Sequence, residues 1–403
     1  MADFFQSGAL ATLHRLGPPR VPELEAELTT FARERPIALV LPCHLRDLGG
    51  RGLAAIVREL AHVPYLQQIV VGVDGATRRA DWLKARAFFR KLPQPTTLLW
   101  NDGPRLRRLL KKLDAHDFSA GPTGKGRNVW LCLGVVLAGE QARVVAVHDC
   151  DILTYSRELL ARLCHPVAHP SLGFDFCKGY YARVTDRLNG RVMRLLITPL
   201  LRALRGLVGA HPFLVFLETF RYPLAGEICL EADLARRLRI PCDWALEVGV
   251  LAEVFRHAAP RAICQSELCD NYDHKHQELS PRDASHGLHR MAIDIARSLF
   301  HRLAAEGIRL DAALLDTLLS TYLRQADDAL RSYAADASIN GLEYPRHDEE
   351  RAVATFAHSL RTAGKAFQKA PAEYPLIPSW NRVESALPHF LEELREAVRL
   401  DNA

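Results

Sequence analysis

Two aspartates one residue apart follow a strongly apolar run, and their side chains are well suited to hold a divalent cation. The run covers residues 142–148, and Asp149, Cys150 and Asp151 come directly after it. Such a run predicts a buried strand of a parallel sheet. Carboxylates are hard oxygen ligands for divalent cations, and open α/β sheets bind their ligands at the carboxyl ends of the strands. The pattern therefore predicts a divalent-cation site at this edge of the sheet, although two aspartates in this spacing also occur often by chance.

A glycine-rich segment, residues 121–128, precedes this strand and contains Lys125. Its small residues would let backbone N–H groups approach a phosphate at the start of the following helix, and Lys125 supplies a point charge for a diphosphate. A Walker loop is not indicated, because Gly126 stands directly after the lysine. A glycine-rich helix start without a ligand is the alternative interpretation.

Two earlier apolar runs also end in residues that would lie at the same edge of the sheet. Pro42 follows the run at 37–41, and Asp74 follows the run at 68–73. Both positions suit contacts with a base or a ribose. Ordinary turns explain them equally well, since Pro and Asp-Gly are common turn residues.

The second half of the sequence holds further candidates for the site. His274, within residues 271–276, can complete the metal sphere begun by the aspartates, although an isolated surface histidine is usually inert. Residues 189–192 combine a glycine turn with Arg191, which suits a phosphate or carboxylate on a small acceptor. Glu227 and Glu247 each stand beside a glycine, where a carboxylate can bind sugar hydroxyls or assist proton transfer. Solvated glutamates at helix starts are the alternative.

The elements that must position these residues alternate between strand and helix. The patterns predict strands at 37–41, 68–73, 96–100 and 142–148, and helices at 52–61, 82–92 and 124–137. This order predicts a mainly parallel, doubly wound α/β sheet. Beyond residue 151 we expect strands at 172–184 and 261–269, helices at 191–208, 225–237 and 247–256, and helices again from about 281 to the end.

Composition is that of an ordinary globular protein. The 403 residues are 48% hydrophobic and 25% charged, and 52 Lys and Arg against 47 Asp and Glu give a formal net charge of +5. That excess is too small to predict nucleic-acid binding, but it suits a cleft for anionic substrates. The nine scattered cysteines form no C-x-x-C pair and are interpreted as reduced thiols. With neither a signal peptide nor a membrane span recognisable, we expect a cytoplasmic protein without a membrane partner.

Over residues 36–280 the sequence resembles the retaining glycosyltransferases of the glucosyl-3-phosphoglycerate synthase type, with mannosyl-3-phosphoglycerate synthases as close relatives. The resemblance rests on the order and spacing of short motifs. These are Val40-Leu41-Pro42, Gly124-Lys125-Gly126, Asp149-Cys150-Asp151, Gly190-Arg191-Val192, Pro223-Leu224-Ala225-Gly226-Glu227, Leu246-Glu247-Val248-Gly249 and His274.

The resemblance implies a GT-A fold, Mg²⁺ or Mn²⁺, a UDP-sugar donor and 3-phosphoglycerate as acceptor. The catalytic domain would span 36–280, with its donor half at 36–151 and its acceptor half at 152–280. On either side of it, the sequence pattern predicts an N-terminal helical arm at 1–35 and a helical C-terminal extension at 281–403. We also expect a homodimer formed partly through that extension.

The resemblance also implies roles for single residues. Asp151 and His274 would hold the metal, and Asp151, Glu247 and Arg191 would be the catalytic residues. The remaining roles divide between the two substrates: the donor would be bound by Pro42, Asp74, Lys125, Asp149, Cys150 and Glu227, and the acceptor by Gly190, Arg191, Val192 and His276.

Three positions depart from the pattern of the family. Residues 43–47 replace an acidic, Asn-Glu-rich turn, Met193 stands where a threonine is expected, and residues 272–276 differ from the Arg-X-His-X-Asn pattern. For this reason the predicted acceptor contact at the last site is His276 or Lys275.

Other functions remain possible on the sequence. They are transfer of mannose from GDP-mannose, a non-catalytic nucleotide-sugar-binding scaffold, and a sugar-1-phosphate nucleotidyltransferase. The last would need a glycine-rich basic loop directly after the first strand, and residues 43–52 do not supply it convincingly.

Overall fold

An eight-stranded sheet forms the centre of the protein, described here from a computed structural model that covers residue 6, residues 8–275 and residues 277–403. The strand order is β1-β8-β6-β7-β5-β2-β3-β4. The strands are β1 (Ala11–Leu13), β2 (Ile37–His44), β3 (Leu66–Asp74), β4 (Thr96–Trp100), β5 (Val144–Val147), β6 (Phe176–Tyr181), β7 (Ile228–Glu231) and β8 (Ile263–Cys269).

Only β7 breaks the parallel arrangement among the described strands, since it is antiparallel to both of its neighbours, β5 and β6. The other pairs are parallel. The inner strands β2, β3 and β5 are rich in Val, Ile and Leu and are covered on both faces, as parallel strands require.

Helices cover both faces of the sheet. They are α1 (Val21–Phe31), α2 (Arg51–Leu60), α3 (Arg79–Phe89), α4 (Pro104–Asp114), α5 (Lys125–Gly139), α6 (Arg157–Ala168), α7 (Thr198–Val208), α8 (Pro212–Thr219), α9 (Ala232–Arg237), α10 (Leu246–His257), α11 (Gly287–Ala305), α12 (Ala312–Ile339), α13 (Arg346–Lys369), α14 (Trp380–Ala386) and α15 (Phe390–Asn402). Short 3₁₀ segments lie at Leu45–Gly49 and Pro260–Ala262, and a π-helical segment at Val192–Ile197.

Two hydrophobic cores lie on opposite faces of the sheet. One contains α1, α2, α3 and α6, and the other contains α5, α7, α8, α10 and the C-terminal helices. Helix α5 is apolar nearly all round because it lies between the sheet and the C-terminal region. The predicted class, an α/β fold with a mainly parallel doubly wound sheet and a helical C-terminal extension, is confirmed.

Pro42 lies inside β2, beyond the end that the apolar run predicted. Strand β2 pairs with β5 only as far as Val40, whose carbonyl accepts from the His148 N–H at 3.4 Å. It pairs with β3 as far as His44. The backbone groups of Pro42 and Val40 face the same neighbour, β5. Because β5 has already ended at the level of Pro42, the missing N–H of the proline costs no hydrogen bond of the sheet.

The strand β7 was not predicted, and the helix predicted at 225–237 is wrong over its first half. Residues 228–231 form β7, and the helix begins only at Ala232. The arm at 1–35 contains a strand as well as a helix, since β1 adds to the edge of the sheet beside β8.

Side-chain amides bind the outermost strands at both edges of the sheet. At one edge, Gln6 donates to the Thr12 carbonyl at 2.8 Å and accepts from its N–H at 2.7 Å. At the other edge, Asn402 donates to the Leu98 carbonyl at 2.7 Å and accepts from its N–H at 3.3 Å.

None of the helices in the described ranges has the length and apolarity that crossing a bilayer requires.

The C-terminal region is attached to α5 by two stacked tryptophans. The rings of Trp130 and Trp380 lie 4.0 Å apart, and each indole N–H donates to a carbonyl of the other segment, to Pro378 at 2.9 Å and to Trp130 at 3.1 Å. Gly134 makes this approach possible, because a Cβ at that position would lie 2.2 Å from the Trp380 ring.

We therefore expect Gly134→Ala to lower the free energy of unfolding by about 1–3 kcal/mol, the usual cost of overpacking a core. Urea denaturation followed by tryptophan fluorescence measures it. Gly139→Ala, in the same helix with open space around it, is the matched control and should be neutral or stabilising by up to about 1 kcal/mol. Equal effects of the two substitutions would contradict this account of the helix packing.

Candidate active site

The candidate site lies at the carboxyl edge of the parallel strands, around the segment that follows β5. Strand β5 ends at Val147, and Asp149, Cys150 and Asp151 follow it after one intervening residue, His148. Asp74 ends β3 at the same edge. The apolar runs predicted that these residues lie at the carboxyl edge of the sheet, and the structure places them there.

A lysine between two carboxylates joins three separate elements at this edge. The Nζ of Lys125, the first residue of α5, lies 2.6 Å from Asp149 Oδ1 and 2.8 Å from Glu247 Oε1 in α10. Burial alone would lower the pKa of Lys125, but the two carboxylates raise it well above its ordinary value. Burial would likewise raise the pKa of Asp149, and Lys125 lowers it. Lys125 and Asp149 therefore stay charged at neutral pH.

The glycines on either side of Lys125 have a packing function that the sequence did not indicate. A Cβ at Gly124 would lie 2.4 Å from the Cys242 carbonyl oxygen, and one at Gly126 would lie 1.9 Å from that of Pro241. Only glycine lets the start of α5 rest against this segment, which leads into α10 and Glu247. The two glycines thereby bring Lys125 and Glu247 together.

Asp151 and His274 approach each other as a possible pair of metal ligands. Asp151 Oδ2 lies 3.7 Å from His274 Nδ1, and a short bridge between Ile152 and His274 fixes the two segments. Leu153 N–H also donates to the Asp273 carbonyl at 2.7 Å. One carboxylate and one imidazole, both partly exposed, are a donor set that Mg²⁺ or Mn²⁺ accepts.

Within the described ranges, no group of three or more His, Cys, Asp or Glu side chains could hold a metal ion. A divalent cation at Asp151 and His274 would therefore complete its coordination with water and with phosphate oxygens of a substrate. This arrangement is usual for Mg²⁺, which typically keeps several waters and takes one or two protein carboxylates. The residues present fit the predicted metal.

A buried glutamate clamped by two tyrosines supports the segment that carries His274. The Glu227 carboxylate is fully buried and accepts from the hydroxyls of Tyr181 and Tyr272, each at 2.7 Å. The two tyrosine rings stack with centroids 3.8 Å apart. Burial raises the pKa of Glu227, Asp149 adds to the rise, and the tyrosine hydroxyls oppose it. Because Tyr272 precedes His274 by two residues, this clamp holds the chain close to the imidazole.

A buried lysine in β6 holds the loop that packs on Asp149. Lys178 is 1% exposed, and its Nζ donates to the Ala225 carbonyl at 2.5 Å. The next residue, Gly226, lies so close to the Asp149 carboxylate that a Cβ there would be 2.7 Å from it. Burial lowers the pKa of Lys178 to about 8, with Glu247 and Glu227 opposing the shift.

The predicted acceptor turn adjoins this centre through Tyr222. Gly190 has φ +75°, in the left-handed region, and a Cβ there would lie 3.2 Å from the Tyr222 hydroxyl. That hydroxyl accepts from Arg183 at 3.2 Å, and the Tyr222 ring packs at 5.2 Å from Tyr181. Val192, next in the turn after Arg191, is buried.

The other predicted residues occupy different environments. Asp74 is 8% exposed and accepts from the side-chain amides of Asn101 at 2.9 Å and Asn128 at 2.8 Å. Burial raises its pKa, and the two amides oppose this. The Cys150 side chain is buried beside Cys43, so any donor contact would come from its backbone. His276 lies outside the described residues.

Several site residues were not identified from the sequence. Tyr181, Tyr222 and Tyr272 were not singled out, because a tyrosine in an apolar run usually indicates packing alone. Lys178 did leave a signal, since a lysine within the apolar residues 176–181 must find a buried partner.

Comparison with known proteins places the chain beside two curated relatives. No protein-family model matches the sequence. It is 44% identical over 403 residues to the glucosyl-3-phosphoglycerate synthase of Persephonella marina, with 100% of both chains covered. It is 37% identical over 409 residues to the glucosyl-3-phosphoglycerate synthase of Methanococcoides burtonii, with 99% of this chain and 98% of that protein covered.

Solved structures agree with this placement at the level of the fold. The glucosyl-3-phosphoglycerate synthase of Mycobacterium tuberculosis in complex with Mn²⁺, UDP-glucose and phosphoglyceric acid matches with a TM-score of 0.53 and 22% identity, over 76% of this chain and 90% of that one. Its complex with Mg²⁺ and UDP matches with a TM-score of 0.51 over 75% and 88%. The predicted GT-A fold is thereby confirmed.

The lowered pKa of Lys178 predicts a specific pH dependence of stability. The folded lysine releases its proton near pH 8, whereas the unfolded one keeps it to about 10.5. The unfolded state therefore binds more protons between these values, so the contribution of Lys178 to stability rises with pH across that window.

We expect the free energy of unfolding of the wild type to rise relative to that of Lys178→Met between about pH 7 and pH 10. Urea denaturation at several pH values measures the difference. Lys84→Met, which removes a 71% exposed side chain, is the control and should run parallel to the wild type. Parallel curves for Lys178→Met would contradict the buried-amine assignment.

Proposed function

Because this chain belongs to the glucosyl-3-phosphoglycerate synthases, we propose that it transfers glucose from UDP-glucose to the 2-hydroxyl of 3-phosphoglycerate with retention of the anomeric configuration. The observation that carries the proposal is the continuity of the site. Lys125, Asp149 and Glu247 form one charged cluster, and the tyrosines around Glu227 connect it to the turn at Gly190.

On the donor side, Asp151 and His274 would hold Mg²⁺ or Mn²⁺. When bound, the metal neutralises charge that builds up on the departing diphosphate. Lys125 sits at the start of α5, where its charge and the helix dipole favour the same anion. Pro42, Asp74 and Cys150 line the strand edge where we place the uridine. Asp149 and Glu247 lie beside the space where we place the ribose and glucose, and the buried Glu227 supports that space through its two tyrosines.

On the acceptor side, Arg191 is proposed to bind the phosphate of 3-phosphoglycerate, with Gly190 and Val192 shaping the turn. Fixing both substrates lets the 2-hydroxyl approach the anomeric carbon from the face that the diphosphate leaves, and proximity supplies much of the rate. The new C–O bond forms at that carbon as its bond to the diphosphate breaks.

The acceptor proton is proposed to move to the departing diphosphate. Glu247 is paired with Lys125, and Glu227 accepts from two tyrosine hydroxyls. Both carboxylates are therefore engaged in the structure, which argues against either as general base. Retention by front-face transfer does not need one.

The metal assignment predicts a loss of activity in Asp151→Asn. We expect kcat/KM to fall by about 100-fold or more, together with weaker Mn²⁺ binding in electron paramagnetic resonance titrations. EDTA should abolish wild-type activity, and added Mg²⁺ or Mn²⁺ should restore it. Asp270→Asn is the control, since this 81% exposed side chain pairs with Arg15. Near-normal activity and Mn²⁺ binding in Asp151→Asn would show that the metal site is elsewhere.

The substrate assignment is tested by a donor and acceptor panel read by mass spectrometry. UDP-glucose with 3-phosphoglycerate should give glucosyl-3-phosphoglycerate, and UDP release should depend on the acceptor. A preference for GDP-mannose would instead identify a mannosyl-3-phosphoglycerate synthase. Binding of UDP-glucose without any transfer would indicate the non-catalytic scaffold.

A further inference from the structure

The C-terminal region reaches the acceptor turn through one buried carboxylate. Glu349, in α13, is 2% exposed and lies between two arginines of the acceptor segment. Its Oε1 is 2.7 Å from Arg191 Nε, and its Oε2 is 2.8 Å from Arg194 Nη1. A buried carboxylate needs such partners, because leaving either side uncompensated is costly.

The two arginines use this carboxylate in different ways. Arg194 also donates to the carbonyls of Leu188 and Asn189, both at 2.9 Å. Its guanidinium therefore binds the backbone of the turn. Arg191, 29% exposed at its side chain, is held through Nε. This contact orients the plane of the guanidinium and does not use Nη1 or Nη2. Two neighbouring N–H groups of this kind suit bidentate binding of a phosphate.

The backbone after Arg191 is held by the same region. Residues 192–197 form a π-helical turn, a rare geometry that often marks functional sites. The Tyr322 hydroxyl, from α12, donates to the Leu195 carbonyl at 2.7 Å in the middle of this turn. The C-terminal helices therefore fix both the side chain of Arg191 and the backbone that carries it.

We propose that Glu349 is a positioning residue for the acceptor, acting through Arg191. The carboxylate orients the guanidinium toward the phosphate of the acceptor, and it offsets the repulsion between Arg191 and Arg194. This inference rests on the proposed function, which puts the phosphate at Arg191. It makes the C-terminal helices part of the acceptor site, although they lie outside the residues that carry the family motifs.

The test is a comparison of the two KM values in Glu349→Gln. An amide can still accept from Arg191 Nε but cannot hold both guanidiniums by charge. We expect the KM for 3-phosphoglycerate to rise about 10-fold or more, as expected when a substrate-positioning group is displaced. The KM for UDP-glucose and the rate of acceptor-independent UDP release should stay within about twofold of the wild type, which a general structural defect would not allow.

Glu343→Gln is the matched control. Glu343 is 68% exposed and pairs with Arg187 at 3.1 Å, so it joins the same two segments at the surface. Its loss should leave both KM values unchanged, because exposed pairs contribute little. Should Glu349→Gln fail to fold, Glu349→Asp replaces it: the charge remains but the shorter side chain cannot span both arginines, and the acceptor KM should still rise.

If the wild type is active and the KM for 3-phosphoglycerate is unchanged in both Glu349 variants, the inference is wrong while the proposed function stands. The inference is also wrong if both KM values rise by the same factor and the melting temperature falls, because Glu349 would then have a structural role only. A wild type that does not use 3-phosphoglycerate contradicts the proposed function instead, and the inference with it.

Discussion

The Lys125 side chain is largely buried, and its ammonium group pairs with two carboxylates from distant parts of the chain. Glu247 lies 122 residues away in sequence, and Asp149 follows the strand after α5. These side chains keep only 13–22% of their exposure, and removing one member would leave the charge of another without its partner, which is costly away from water. The start of α5, the end of β5 and the start of α10 are therefore fixed relative to one another, and the remaining site residues are placed against this frame.

Around this frame the site is built from contacts that each fix the next segment. Lys178 holds the Ala225 carbonyl, Gly226 packs on Asp149, and Glu227 holds Tyr272 close to His274. The result is a preorganised set of charges and dipoles, which costs no reorganisation when charge develops in a reaction. Most of these contacts involve glycine or a buried polar group, so there is little room for compensating substitutions.

The sequence allowed the fold and the edge that carries the site to be predicted, because buried parallel strands read as continuous apolar runs. Strand β4 was predicted with its observed bounds. Strand β7 was missed because its four residues run into α9 without a turn between them. The motifs around Lys125, Asp149 and Glu247 could be placed at one site through their order. The pairing of Arg191 with Glu349 could not be predicted, because the two residues are 158 positions apart and nothing local in either segment specifies the other. The roles of the individual residues stay predictions.

The amides of Gln6 and Asn402 have a consequence for how copies of this protein can associate. Each amide binds both the N–H and the carbonyl of one residue on an outer strand, which is the pairing that an added strand would make. A neighbouring chain could not extend the sheet at these positions without first displacing the amide. Edge-to-edge aggregation is thereby disfavoured. The homodimer expected from the sequence stays a prediction, and joining two sheets at these positions is not a favourable route to it.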